Sequence, residues 1–471
     1  MANHGVIVLD IGKTNAKLSL WGADGQALAR RSRRNAVVEA RRYRALDVDG
    51  IEAWLRATLR EFAGLAEVCA IIPVGHGAAA ALVSGGAPFT PPMDYEDEGP
   101  EAERAAYAGL RDDFRATGSP ALPQGLNLGL QLHRLEAMTG PWPDDLTILP
   151  WPQYWAWRLS GVAASEVTSL GCHSDLWRPF DNRPSQLAID RGWADRLGPV
   201  RHAGEALGPL TAEWVALTGL PAGCQIHCGL HDSNAALLAA RGHSEIGRHD
   251  ATVLSTGTWF VAMRSPSLDD PAGGLPVLDE ARDCLVNVDV AGQPIPSARF
   301  MGGREAELIA GLDTWHLTDD YDPEALIERL PALIAGGACV FPSFAPGVGP
   351  FPGHTGRWRH EPEDRSDKRA VLGLYLALMS DAALDLIGSR ERLLVEGRFA
   401  EAQVFVRALA TLRPDQAVHV SNAHDDVPYG ALRLIDPTLP PKSPLQRVAP
   451  LPFSLDAYRQ AWREQIAHGG A

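Results

Sequence analysis

Two turns rich in glycine and hydroxyl residues carry the side chains best suited to chemistry. Residues 10–15 read Asp-Ile-Gly-Lys-Thr-Asn with Lys17 just beyond, and residues 255–258 read Ser-Thr-Gly-Thr. Such turns present backbone N–H groups and hydroxyls to phosphate oxygens, lysine adds positive charge, and aspartate can bind Mg²⁺ directly or through water. The chain has no Gly-x-x-x-x-Gly-Lys-Ser/Thr pattern. One such turn alone is typical of a plain hairpin, but the pair predicts a phosphate-binding site in two parts.

Asp232 follows a run predicted as a strand leading into a turn, residues 223–231, and precedes a predicted small-residue helix, residues 233–240. Aspartate is favoured as a helix N-cap, which is the purely structural interpretation. The functional interpretation is a general base that accepts the proton of a hydroxyl as the hydroxyl attacks a phosphate. The two interpretations are compatible, because the N–H groups at a helix start would hold the carboxylate in place.

A further set of polar and aromatic residues lies near predicted strand ends and loops. Carboxylates and amides bind hydroxyls, and aromatic rings cover the apolar face of a sugar, so the set is a candidate substrate site. For each member the alternative is an ordinary loop or core position. The set comprises His76, Asp94, Tyr95, Gln153, His173 and His231.

Cysteine and histidine also alternate along residues 224–231, as Cys-x-x-His-Cys-x-x-His. Zinc ligands this close in sequence converge only on a helix or a knuckle. A β-strand would send Cys224 and His227 to opposite faces of the sheet, so we do not predict a metal site there.

The elements that must position these residues fall into two similar halves. Continuous apolar runs predict strands over residues 6–9 and 69–74, and a returning strand over 16–21 completes a hairpin around the first turn. A second hairpin over 249–263 surrounds the second turn. Helices are predicted over 51–65, 126–139, 372–387 and 399–412, and residues 162–175 are predicted to be mostly loop. The expected organisation is an α/β fold with domains 1–242 and 243–471 on either side of a cleft.

The amino-acid composition excludes some classes of binding partner. The 471 residues carry 43 Lys+Arg against 58 Asp+Glu, a net charge of −15, which argues against nucleic-acid and anionic-membrane partners. The N-terminal apolar run stops at Asp10 without a basic region or cleavage site, and no apolar run is long enough to cross a membrane. The six cysteines are too few for a disulfide framework in a chain this long. A cytoplasmic location is expected.

Four motifs together resemble the FGGY carbohydrate kinases, which share the actin/Hsp70/hexokinase ATPase fold. They occur in that family's order along the chain, and their combination is specific although no single motif is. The motifs are residues 8–17 (Val-Leu-Asp-Ile-Gly-Lys-Thr-Asn-Ala-Lys), 229–236 (Gly-Leu-His-Asp-Ser-Asn-Ala-Ala), 254–259 (Leu-Ser-Thr-Gly-Thr-Trp) and 395–398 (Val-Glu-Gly-Arg).

The resemblance implies two actin-like, ribonuclease H-like domains around a central cleft, with ATP and Mg²⁺ as cofactors. It implies that Asp10 is a carboxylate associated with Mg²⁺ and that Asp232 is the catalytic base, also close to the metal. The residues implied in nucleotide binding are Gly12, Lys13, Thr14 and Lys17 of the first turn, Ser255, Thr256, Gly257 and Thr258 of the second, and Gly397 of the adenosine motif.

Two departures from the family pattern bear on specificity. The adenosine motif usually has two adjacent glycines, and here Arg398 follows Gly397; the usual Trp-Asn-Asp sugar segment is replaced by residues 93–97, Met-Asp-Tyr-Glu-Asp. The overall pattern is most similar to the rhamnulose and fuculose kinase branch. We therefore expect an ATP-dependent kinase of a ketose, such as the deoxy-ketohexoses L-rhamnulose or L-fuculose.

Two alternatives remain open from the sequence. One is a catalytically silent sugar-binding or regulatory protein on the same fold, which the altered adenosine motif favours. The other is an acyl kinase or chaperone-like ATPase of this fold. The expected partners are a small-molecule sugar and ATP, with a homodimer left open as the assembly.

Overall fold

The computed structural model describes residues 4–270, 275–311, 322–421 and 426–468. They form two units. The first contains residues 4–242, 286–294 and 426–440, and the second contains the rest. The sequence led us to expect contiguous domains, 1–242 and 243–471. The chain divides at residue 242, but two segments from beyond that point pack within the first unit.

A mixed sheet forms the centre of the first unit. The hairpin of His4–Ile11 and Asn15–Gly22 pairs antiparallel around the first turn, and Glu67–Gly75 pairs parallel to His4–Ile11. The unbroken apolar run of the first strand reflects burial on both faces. The strand order is Ala206–Pro209, Gln225–His227, Glu67–Gly75, His4–Ile11, Asn15–Gly22 and Ala27–Arg34, and Leu230–His231 also pairs with Glu67–Gly75.

The sheet of the second unit repeats this pattern. Ala251–Thr256 and Phe260–Ser265 form an antiparallel hairpin around the second turn, and Arg392–Gly397 pairs parallel to Ala251–Thr256. The order is Gln446–Arg447, Ala417–Val420, Arg392–Gly397, Ala251–Thr256, Phe260–Ser265, Pro294–Phe300 and Cys284–Val288, and the first six of these strands pair in the same senses as the six of the first unit. The two turns therefore occupy equivalent positions in two sheets of one topology.

The remaining described elements of the first unit surround its sheet. The helices are Val48–Ala63, Glu101–Ala108, Phe114–Thr117, Leu128–Thr139, Trp151–Ser160, Val167–Leu170, Gln186–Asp190, Ala194–Arg196 (3₁₀), Ala212–Thr218, Asp232–Ala240 and Asp426–Arg433. The short strands are Val37–Glu39, Arg44–Leu46, Ala80–Ser84, Ala87–Thr90, Thr147–Pro150, Trp177–Arg178 and Arg183–Pro184.

The second unit adds helices and two short strands, and Cys284–Val288 runs across the division between the units. The helices are Glu280–Arg282 (3₁₀), Gly302–Ala310, Pro323–Ala335, Arg365–Leu386, Arg398–Glu401 (3₁₀), Gln403–Leu412 and Asp456–His468, and the strands are Cys339–Phe341 and Arg357–Arg359. Within the described ranges, no helix combines the length and hydrophobicity that a membrane span requires.

Two predicted helices of the second unit differ from the structure in where they begin. The helix expected over 372–387 begins earlier, at Arg365, because Asp364 caps it with bonds to the N–H groups of Ser366 and Asp367. The helix expected over 399–412 is divided into a 3₁₀ turn and a helix that starts at Gln403. Residues 162–175 are mostly irregular, as predicted, and they include the short helix Val167–Leu170, whose side chains at 168–170 are buried.

One close contact supports the helix that begins at Asp232. Gly430, on the helix Asp426–Arg433, lies against Ala235, and a Cβ added to Gly430 would be 1.7 Å from the carbonyl oxygen of Ala235. Because that neighbour is backbone, a side chain at position 430 would separate the two helices. The chain segment that returns to the first unit therefore fixes where the Asp232 helix lies.

We expect Gly430→Ala to lower the free energy of unfolding by about 1–3 kcal/mol, the usual cost of overpacking. Alanine is favoured over glycine inside a helix by about 1 kcal/mol. A lower free energy of unfolding would therefore show that the close contact outweighs the higher helix propensity of alanine. Gly223→Ala is the control, because a Cβ there would meet no atom within 4 Å. Chemical denaturation of both variants measures the difference, and equal stabilities would contradict the packing argument.

Candidate active site

Asp10 and Asp232 are brought together by one strand. Asp10 and Leu230 both pair with Val74, from opposite sides of Glu67–Gly75, and all three strands run parallel. The two aspartates therefore project from the same edge of the sheet, at the carboxyl ends of its strands, where ligand sites of parallel sheets form. Burial, and then the charge of Asp232, raises the pKa of Asp10 to about 7, while Lys17 opposes the shift. The Lys17 ammonium lies 3.9 Å from Asp10 Oδ2.

The surroundings of Asp232 leave one of its oxygens available. His231 Nε2 lies 3.2 Å from Asp232 Oδ1, and the backbone N–H of Ser233 donates to the same oxygen at 2.6 Å. The Ser233 hydroxyl also donates to Oδ1, at 3.3 Å. The hydrogen bonds that Asp232 makes with the described residues thus converge on Oδ1, so Oδ2 retains the capacity to accept a proton. His231, rather than Asp232, occupies the N-cap position, and Asp232 is the first residue of the helix.

The His231 ring lies beside this carboxylate. Its Nδ1 accepts from the Asn234 amide nitrogen at 3.3 Å, which leaves the proton of the neutral ring on Nε2, and Nε2 is the atom that lies 3.2 Å from Asp232 Oδ1. Burial lowers the pKa of His231, the charge of Asp232 opposing the shift. Nε2 also lies 3.4 Å from Cys172 Sγ.

Contacts with distant parts of the chain fix the turn before His231. Gly229 has φ +81°, and a Cβ there would lie 2.1 Å from the carbonyl oxygen of Pro73. The fully buried amide of Gln153 donates to the carbonyl oxygens of Cys228 and Gly229, at 3.2 and 3.1 Å. Gln153, predicted as a substrate residue, therefore contacts the backbone of this turn.

The other predicted substrate residues in the first unit include a compact group around Lys13. Its ammonium is hydrogen-bonded to the fully buried Asp94 and lies 5.1 Å from the centre of the Tyr95 ring. The Tyr95 ring meets the ring of His76 edge-on, with centres 5.6 Å apart. In this structure Lys13 pairs with a carboxylate of the predicted sugar segment, and its contact with phosphate stays a prediction.

His76 is the best-placed of these residues to meet a ligand. It is 8% exposed, its Nδ1 contacts the carbonyl oxygen of Gly77 at 2.7 Å, and its Nε2 is buried without a hydrogen-bond partner. Burial lowers its pKa, and the charges of Asp232, Lys13 and His231 all act on it. These charges place His76 close to both the carboxylate pair and the Lys13 group.

His173 has a more constrained position. Its φ is +37°, an unusual value for a residue with a side chain, and its Nδ1 lies 2.7 Å from the carbonyl oxygen of Leu126. It follows Cys172, which contacts His231, in the sequence.

The second turn and the adenosine motif form one network in the second unit. The Thr256 hydroxyl donates to the carbonyl oxygen of Glu396 at 2.6 Å and accepts from the N–H of Phe399 at 3.0 Å. Ser255 donates to Glu396 Oε1 at 2.5 Å. Gly397, at φ +83°, has no space for a Cβ, which would lie 2.2 Å from the carbonyl oxygen of Thr256. Thr258 at the tip of the turn is exposed.

Two hydroxyls of the second turn are therefore already engaged with protein atoms. Gly257 donates its N–H to the carbonyl oxygen of Trp259 at 3.0 Å, and the N–H of Gly303 lies 3.2 Å from the carbonyl oxygen of Thr258. Thr258 is the residue of this turn whose side chain is open to a ligand.

The first unit offers a fit for a divalent cation. Within the described ranges, no three acidic, histidine or cysteine side chains form a metal-binding group. Burial first, and the charge of Asp232 second, raise the pKa of Asp10, and a bound cation would offset both of these effects on the Asp10 carboxylate. Mg²⁺ commonly binds one or two carboxylates while keeping water and phosphate oxygens as its other ligands, which suits this pair.

Sequence reasoning missed two residues beside the site. Thr168 Oγ1 accepts from the backbone N–H of His231 at 3.0 Å, and the buried carboxylate of Glu166 accepts from that same hydroxyl. The sequence signal for them was a single acidic residue, Glu166, shortly before Thr168 and Ser169 in a stretch of small residues. Such a stretch is also typical of a loop.

Comparison with known proteins identifies relatives of the whole chain. A family model described as the C-terminal domain of FGGY carbohydrate kinases matches residues 248–443. The crystal structure of a carbohydrate kinase from Novosphingobium aromaticivorans is 49% identical, with a TM-score of 0.94 over 100% of both chains. A search of curated proteins gave no match.

More distant solved structures share the fold. A ligand-bound xylulose kinase from Lactobacillus acidophilus has a TM-score of 0.76 at 12% identity, over 99% of this chain and 96% of that one. Plasmodium falciparum glycerol kinase with ADP has a TM-score of 0.75 at 11% identity, over 99% and 97%.

The fold is the two-domain, actin-like ATPase fold of sugar kinases, as predicted. The chain belongs to the FGGY carbohydrate kinase family. It is thus a phosphotransferase that uses ATP. This family assignment confirms the main functional prediction and argues against the acyl kinase and chaperone alternatives.

The electrostatic coupling within the carboxylate pair can be tested directly. Asp232→Asn removes a negative charge and should lower the pKa of Asp10 from about 7, whereas Lys17→Met removes a positive charge and should raise it. A pH titration of the Asp10 carboxyl carbon by NMR measures both shifts. A pKa that stays constant in both variants would show that the two charges do not act on Asp10.

Proposed function

We propose that this kinase phosphorylates a hydroxyl of a ketose, with Asp232 as the general base. The observation that carries the proposal is the free Oδ2 of Asp232 beside the buried carboxylate of Asp10. A base must accept the hydroxyl proton as the oxygen attacks, and a nearby carboxylate that binds Mg²⁺ would bring the phosphate and the base together.

The roles of the two carboxylates are distinct in this proposal. Two hydrogen bonds from Ser233 and the contact with His231 fall on Oδ1, and they orient Asp232 without using the oxygen that receives the proton. Asp10, with Asp232 beside it, would hold Mg²⁺, which neutralises charge on the transferred phosphate. Because Asp10 has a pKa of about 7, the metal-free site binds a proton readily, and the metal would displace it.

Sugar recognition is proposed for the group of His76, Tyr95 and Asp94. His76 Nε2 and Asp94 Oδ2 are buried without hydrogen-bond partners, and such atoms are suited to bind hydroxyls. The rings of His76 and Tyr95 offer an apolar surface to the C–H face of a sugar. Lys13 holds Asp94 in place. His173 and His231 complete the predicted set.

L-Rhamnulose and L-fuculose are the first candidate substrates. They are proposed from the pattern of the sequence motifs, and the related solved structures are named for other sugars and polyols, xylulose and glycerol among them. The homodimer, the cytoplasmic location and the nucleotide contacts of Gly12, Thr14, Lys17 and Gly397 are likewise predictions.

The test is an ATP-consumption screen over ketoses, aldoses and polyols that includes L-rhamnulose, L-fuculose, xylulose, glycerol and gluconate. With the best substrate, Asp232→Asn should lower kcat by about two to four orders of magnitude, the contribution of a positioned base. Asp24→Asn is the control, since it makes the same change at an exposed turn residue. No turnover with any compound would favour the silent sugar-binding alternative.

Nucleotide binding by the second turn is tested with Thr258→Val. We expect the KM for ATP to rise about tenfold, because a hydrogen bond to a charged phosphate is lost while the internal bonds of Thr256 remain. The sugar KM and the melting temperature should stay the same, and Thr258→Ser should restore the ATP KM. An ATP KM unaffected by Thr258→Val would exclude this hydroxyl from the phosphate site.

A further inference from the structure

A buried acid lies one short helix away from the carboxylate pair. Glu166 is fully buried and precedes the helix Val167–Leu170. Its Oε2 accepts from the N–H groups of Thr168 and Ser169, at 3.0 and 3.2 Å, and from the Thr168 hydroxyl at 2.5 Å. Glu166 therefore fixes both the start of this helix and the direction of one hydroxyl.

The Thr168 hydroxyl links this helix to the turn that carries Asp232. The Thr168 hydroxyl donates its one proton in the hydrogen bond to Glu166. The lone pairs of Thr168 Oγ1 therefore remain available to accept hydrogen bonds from other groups. One of them accepts from the backbone N–H of His231 at 3.0 Å. His231 is the N-cap of the helix that Asp232 begins, so this bond fixes the backbone immediately before the proposed base.

The bond completes the anchoring of the turn. Gln153 binds the carbonyl oxygens at 228 and 229, and the N–H groups of those residues donate to the carbonyl oxygens of Glu205 and Ala203, at 2.9 Å each. Thr168 binds the N–H at 231. Small displacements at a reacting centre reduce rates strongly, so an anchor at this point bears on turnover.

We propose that Glu166 and Thr168 are positioning residues for the phosphoryl transfer: Glu166 orients the Thr168 hydroxyl, and that hydroxyl holds His231 so that Asp232 Oδ2 faces the substrate hydroxyl. The inference rests on the proposed role of Asp232 as the base. Neither residue contacts the reacting atoms in this assignment.

The chemistry of Glu166 supports a role beyond capping. Serine, threonine or aspartate would cap a helix without placing a long carboxylate in the interior. Burial raises the pKa of Glu166 to about 7, its bonds to Thr168 and Ser169 oppose the shift, and the charge of Asp289 adds to it. Oε1 is buried without a hydrogen-bond partner. The fold therefore keeps a carboxylate whose burial costs free energy. Beyond capping the helix, this carboxylate orients the Thr168 hydroxyl.

The experiment compares Thr168→Val with Ser169→Ala. Ser169→Ala is the matched control, because it also removes a buried hydroxyl from the same turn. Ser169 is 7% exposed, and its Oγ has no hydrogen-bond partner. Thr168→Val should lower kcat about tenfold with an unchanged KM for ATP, and Thr168→Ser should recover most of the loss. Ser169→Ala should match the unaltered protein.

Hydrogen–deuterium exchange over residues 229–234 gives a second reading that does not depend on turnover. Thr168→Val should speed the exchange of the His231 amide, and Ser169→Ala should not. Unchanged exchange in Thr168→Val, or a kcat equal to that of Ser169→Ala while Asp232→Asn is inactive, would overturn this inference alone. Failure of the unaltered protein to phosphorylate any sugar, or full activity of Asp232→Asn, would instead overturn the proposed function and this inference with it.

Discussion

The closeness of two like charges is the constraint on which the first unit depends. Asp10 and Asp232 lie on either side of one strand, and the burial of Asp10 makes its charge more costly than the repulsion by Asp232 alone would. Their proximity persists because the backbone on both sides is held by other parts of the fold. Asp10 belongs to a strand paired on both edges, and the Asp232 turn is held by Gln153, Thr168 and the close approach of Gly229 to Pro73. The scaffold thus maintains a charge arrangement that a cation would relieve.

Much of this arrangement can be predicted from the sequence because it depends on local patterns. The hairpin around Asp10 follows from an apolar strand, a glycine turn and a returning strand, and the helix after Asp232 follows from a run of small residues. These are short-range signals, and the family resemblance, now confirmed, joined the two turns into one hypothesis. The repeated sheet order was consistent with the expected two similar halves.

What could not be predicted depends on distant parts of the chain. Nothing near Lys13 indicates that its ammonium pairs with Asp94, 81 positions further on. The link from Thr168 to the N–H of His231 spans 63 positions, and Glu166 looks like one more polar residue in a loop. The segment 426–440, which joins the first unit, reads as an ordinary part of the second half. Tertiary contacts of this kind leave no periodic signal in the sequence.

The contact between Gly430 and Ala235 has a consequence for how the protein is made. The helix that starts at Asp232 is synthesised well before its packing partner, Asp426–Arg433, which lies far downstream in the chain. Residues 1–242 alone therefore lack one wall around this helix. During synthesis, apolar side chains of that surface therefore stay uncovered until the segment through Arg433 has been translated.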